Sequence, residues 1–193
     1  MKRYKVWLDR ALSLITVVAV LVATYLLATE RVIPVLRGAP AVVSEGEKLP
    51  GFLTFERLQE GDRSGMRGVI RVPGERATLL LLFDSTCAAC YANLPAWSRV
   101  VSGSYGVATV LAVALEGDGP AARAYVKRHI PSALPVVPED ARQVAGRLGI
   151  GIVPSTALVG ADGVLRYVRQ GSLDPAAVDS LLRALEALRG LSH

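Results

Sequence analysis

Cys87 and Cys90 are the only cysteines in this 193-residue chain, and they lie together in the stretch FDSTCAACYANLP. A structural disulfide between them would close a loop too short to restrict the unfolded chain much. A zinc site would need two further ligands. The chain's two histidines, His129 and His193, do not stand at ligand spacing from one another. Reversible oxidation is the remaining chemistry, because two sulfurs three positions apart on a helix share a face and can open and close a disulfide. Such a pair carries its own two electrons and calls for no cofactor and no metal.

Redox chemistry of this kind depends on the elements that hold the sulfurs. Ala77–Phe83, ATLLLLF, is a continuous apolar run of strand length, as expected of a strand buried on both faces. The residues after it predict a helix through Val101, with Ser85 or Thr86 as its cap and a kink at Pro95. Cys87 would then stand at a helix N-terminus, where free backbone N–H groups and the helix dipole favour a thiolate. In that setting Cys87 is the expected nucleophile and Cys90 the resolving thiol.

The rest of the pattern supplies a frame. Gly106–Leu115 reads as a second buried strand. Pro120–Ile130 reads as a helix, with proline in its first turn and cations in its last. A short extended piece is expected at Pro135–Val137 and a short helix over Asp140–Leu148. Two strands about the turn at Asp162-Gly163 read as a hairpin. Asp174–Arg189 closes the chain as an amphipathic helix with Asp174 as its cap. This order predicts an α/β domain with a mixed central sheet flanked by helices.

Half of the chain, 51%, is hydrophobic, and the excess has a local source. Residues Ala11–Thr29 contain no charge, and about 19 residues of helix at about 1.5 Å each span roughly the bilayer core. Residues 1–10 precede this run, with Lys2, Arg3, Lys5 and Arg10 against Asp9. They supply most of the net charge of +5. The basic balance therefore reads as a positive-inside flank and not as a nucleic-acid surface. A cleaved leader would carry a shorter apolar core and a nearby small-x-small site, whereas Ala39-Pro40-Ala41 lies far downstream. The expected organisation is a cytoplasmic tail (1–10), a single-pass transmembrane helix (11–29), a linker (30–48) and a domain (49–193) outside the cytoplasm. An exported domain meets an oxidising compartment, where a cysteine pair can form a disulfide.

Three stretches in chain order, LPGF from Leu49, LLLLFDSTCAACYANLP and GIVPSTALVGADG, resemble the thioredoxin-like family, and in particular the membrane-anchored TlpA/ResA-like thiol–disulfide oxidoreductases. The resemblance runs from Leu49 to about Leu188. It implies a thioredoxin-like fold and a cis peptide bond between Val153 and Pro154 beside the cysteines, with the Val153 backbone offered to an extended substrate. It also implies partners: disulfides or dithiols of exported proteins, such as apocytochrome c cysteines, and an electron donor in the membrane. The leading function is then reduction of disulfides in exported proteins, and two others fit the same residues, a disulfide-forming oxidase and a non-catalytic binding module of this fold. Oxidases of the fold usually insert a helical subdomain, for which Leu115–Pro154 is short. The chain also departs from the family pattern. Leu81 and Asn93 stand where members carry an acid, and Ser85-Thr86 replaces the aromatic residue before the first cysteine. Ala88-Ala89 has neither the proline of strongly reducing members nor the histidine of strong oxidants, which leaves the redox direction open.

Overall fold

The computed structural model describes residues 15–22, 42–58, 68–115 and 119–190. Of the expected anchor only 15–22 falls within them, and it is helical; the rest of that segment, the basic tail and residues 30–41 of the linker lie outside. Among the described residues no helix is long and apolar enough to cross a membrane. A compact unit begins at Val42.

That unit is built on a seven-stranded sheet. The strands are β1 (Leu53–Arg57), β2 (Val69–Val72), β3 (Ala77–Phe83), β4 (Ala108–Ala114), β5 (Leu134–Pro138), β6 (Ser155–Val159) and β7 (Leu165–Gln170), in spatial order β2-β1-β5-β4-β3-β6-β7. Every residue of β3 is buried. It runs parallel to β4 and antiparallel to β6, so its apolar run is covered on both faces and both edges. Leu79, Leu81 and Phe83 face one core with α1 (Ala88–Ala92), α2 (Leu94–Gly103), α3 (Gly119–His129) and α5 (Pro175–Gly190). Leu80 and Leu82 face the other, with Leu53, Phe55 and α4 (Ala141–Leu148). This is the period-2 alternation of a central strand with two cores.

Asp174 caps as expected, accepting the backbone N–H of Ala177 at 2.7 Å, and Asp140 caps α4, accepting that of Gln143 at 3.0 Å. Gly149 ends α4 in the left-handed region, φ 63°, where a side chain would be strained.

Two features depart from the expectations. The strands β1 and β2 were not expected: each is short and holds charge, and their mutual antiparallel pairing and the pairing of β1 with β5 define them. The domain also starts earlier than Leu49. Residues 42–48, expected as linker, run along β7 and α4. Val43 N–H donates to the Arg147 carbonyl (2.9 Å), Gly46 N–H to that of Leu165 (2.8 Å), and Leu165 N–H to that of Glu47 (2.9 Å). Lys48 bridges Val164, and Glu45 Oε1 takes the Val168 N–H at 2.7 Å. β7 would otherwise present a bare edge, and this strap supplies its missing partners.

Candidate active site

Cys87 stands where β3 ends and α1 begins. It is itself the N-cap of α1, with extended backbone (φ −76°, ψ 111°), and its sulfur accepts the Cys90 N–H at 3.2 Å. The cap was expected at Ser85 or Thr86. Asp84 explains the shift: its Oδ1 accepts both the Thr86 N–H (2.7 Å) and the Thr86 hydroxyl (2.6 Å), so Thr86 is tied back into a turn before the helix starts. The Asp84 carbonyl also accepts the Cys87 N–H at 3.1 Å. These bonds, the hydroxyl first and the amide second, hold the Asp84 carboxyl below its usual range.

The two sulfurs are not equivalent. Cys87 is half-buried and Cys90 fully buried, and both are free cysteines. Burial first, then the hydrogen bond with Cys87, pushes the Cys90 thiol up from 9.0 to about 12. The negative charge on Asp84 adds to this, and a hydrogen bond to the Asp84 backbone opposes it. Near neutral pH, Cys90 therefore holds its proton.

Val153-Pro154, expected beside the cysteines, is there, and its peptide bond is cis. Cys87 Sγ points at the Val153 carbonyl at 3.9 Å, a contact between residues 66 positions apart in sequence. A second cis bond, Val72-Pro73, was not expected. Pro154 is buried, whereas Ile152 is 57% exposed, so an apolar side chain stands open to solvent two residues before it.

Helix and strand are joined behind the sulfurs. The helix breaks at Asn93 and resumes as α2 with Pro95 in its first turn, so the expected kink is a full interruption. Asn93 is buried, and its Oδ1 accepts the Leu173 N–H at 2.8 Å, while its Nδ2 has no hydrogen-bond partner among the described residues. Trp97 on α2 donates its indole N–H to the Thr156 hydroxyl on β6 at 2.9 Å, both side chains being fully buried. On the far side an aromatic cluster buttresses α1. Phe83 stacks on Tyr125 at 4.7 Å, and Tyr91 meets Tyr125 and His129 edge-on at 5.0 and 5.4 Å. The Tyr91 hydroxyl donates to the Ser85 carbonyl at 3.2 Å. Sequence reasoning missed Asp84, Trp97, Thr156 and Tyr91 as parts of the site. Asp84 alone had a local signal, an Asp-Ser-Thr turn directly before the first cysteine.

No family model matches the chain. Among solved structures it is similar to a candidate thiol:disulfide interchange protein DsbE from Chlorobium tepidum. The identity is 17%, over 76% of this chain and 98% of the other, with a TM-score of 0.58. The chain has the thioredoxin-like fold. The thioredoxin domain of a thiol-disulfide oxidoreductase from Bacteroides vulgatus matches at 15% identity, over 75% of this chain and 97% of that one, with a TM-score of 0.57. The exposed lipoprotein thioredoxin of Streptococcus pneumoniae matches at 16% identity, over 71% and 99%, with a TM-score of 0.54. Within the thioredoxin-like fold, the arrangement here offers one accessible sulfur and one protected, protonated sulfur one helical turn behind it.

Proposed function

We propose that this protein is a thiol–disulfide oxidoreductase, tethered to the membrane through Ala11–Thr29 with its domain outside the cytoplasm, that reduces disulfides of exported proteins. The observation that carries the reading is the inequality of the sulfurs. Cys87 caps its helix and is open to a partner, while Cys90 is fully buried with its thiol pushed up to about 12.

In the forward direction the Cys87 thiolate attacks one sulfur of a substrate disulfide. A mixed disulfide forms, and the other substrate sulfur leaves as a thiolate, taking a proton from water. Cys90 then loses its proton and attacks the Cys87 sulfur. The Cys87–Cys90 disulfide forms, the second substrate sulfur leaves, and two electrons have passed to the substrate. A reductant in the membrane returns the pair to the dithiol. In the mixed disulfide Cys87 carries no charge, so one of the causes that raise the Cys90 thiol is removed as its turn to react comes. Exported proteins that need free cysteines, apocytochrome c among them, are the substrate class. The charge-free run with its basic flank supports the tether.

The full chain with Cys90→Ala should accumulate mixed disulfides with oxidised protein substrates, and Cys87→Ala should not. Absence of trapping in both sinks the mechanism. Equilibration against glutathione fixes the direction: a reductant lies toward about −270 mV and an oxidase toward about −120 mV. A reporter fused after His193 should work only in a form active outside the cytoplasm, and an alkaline wash should leave the chain in the membrane.

A further inference from the structure

After Ile150, the loop that brings Val153 to Cys87 has almost no backbone partners among the described residues. The β6–β7 ladder ends at the pair Ser155 and Gln170, and the chain before Ser155 must arch toward the sulfur without a neighbouring strand. Side chains take over there. Gly151 N–H donates to Gln170 Oε1 at 2.8 Å, and Gln170 Nε2 donates to the Gly149 carbonyl at 2.8 Å. Ser155 Oγ donates to the Ile152 carbonyl at 2.7 Å, and Cys87 Sγ to that of Val153.

We propose that Gln170 is a positioning residue of the thiol–disulfide site, clamping Gly149–Gly151 so that the Val153 carbonyl stands over the Cys87 sulfur; this rests on the reading of the cysteine pair given above. A primary amide carries a donor and an acceptor side by side on one carbon, the pairing a strand backbone would offer. Standing as the last residue of β7, Gln170 extends the ladder by one step in side-chain form. Asparagine would be one methylene short, and a carboxylate would set an oxygen against the Gly149 carbonyl. A substrate disulfide reaches Cys87 past this loop. Loosening it therefore slows formation of the mixed disulfide while leaving the sulfur's own reactivity with a small reagent alone.

The test compares the full chain with its Gln170→Ala and Gln170→Glu variants. Insulin is the disulfide substrate and dithiothreitol the reductant, with three readouts: kcat/KM, the rate of Cys87 alkylation by iodoacetamide, and hydrogen exchange at the Gly151 amide. Loss of two hydrogen bonds should lower kcat/KM roughly tenfold and speed Gly151 exchange by a similar factor, with alkylation unchanged. Gln170→Glu should fall at least as far, because its carboxylate sets a charged oxygen against the Gly149 carbonyl where the amide donated. A variant that is less stable to urea but keeps wild-type kcat/KM and Gly151 protection overturns the proposal. If the wild-type chain itself fails to reduce insulin, the oxidoreductase reading falls, and Gly151 exchange still decides the clamp: unchanged in both variants, it refutes it.

Discussion

The bond between Trp97 and Thr156 ties the helix that continues from the cysteines to the strand that follows Pro154. Replacing Thr156 with valine is a clean way to cut it. Valine fills nearly the same volume, so no large cavity opens, and the loss is chemical. Both residues are 0% exposed and the donor–acceptor distance is 2.9 Å. Water cannot reach the indole N–H to replace the hydroxyl. A buried donor left without a partner costs about 1–3 kcal/mol. For a unit of this size each kcal/mol lowers the melting temperature by about 2–4 °C, so Thr156→Val should lower it by roughly 2–12 °C. The control is Trp97→Phe. That change removes the donor, so adding Thr156→Val to it strands nothing and should cost about 0.5 kcal/mol or less. Urea unfolding of the reduced full chain in all four combinations gives the coupling directly. If Thr156→Val costs the same in both backgrounds, the bond contributes nothing specific and the reasoning fails.

Two predictions concern the buried thiol. At neutral pH a thiol raised from 9.0 to about 12 has about a thousandfold less thiolate than an unshifted one. Iodoacetamide should therefore label Cys87 first, read by fragment mass spectrometry; labelling of Cys90 at a comparable rate would contradict the assignment of roles. The same shift links to stability. The native state holds the Cys90 proton more tightly than the unfolded chain does, so this contribution is whole below about 9 and fades as pH rises toward about 12. The stability difference between the reduced wild-type chain and Cys90→Ala should shrink across that alkaline range, and a difference independent of pH would show that burial does not raise this thiol.

Residues near in sequence determined much of this protein before any folding. The run Ala77–Phe83 reads as a buried strand, because six apolar residues and one threonine leave no polar face for water. The cap at Asp174 and the turn at Asp162-Gly163 were equally legible, since each satisfies backbone groups within a few positions. Two thiols one helical turn apart after a buried strand pointed to exchange chemistry, and the VPST stretch pointed, through resemblance, to the loop beside them.

Tertiary structure decided the rest. β1 and β2 are fixed by β5 and each other, which supply their hydrogen bonds; five and four residues are too few to mark a strand by themselves. The strap at 42–48 reads as linker until the bare edge of β7 gives it partners. The difference between Cys87 and Cys90 has the same origin. Both are cysteines at the start of one short helix, and only the packing of one core and an aromatic cluster around α1 buries one sulfur and leaves the other half open. The Gln170 clamp spans 19 and 21 positions of sequence to Gly151 and Gly149. Local patterns record what a segment can satisfy by itself; desolvation and long-range hydrogen bonds depend on which surfaces meet, and that is set only when the chain closes on itself.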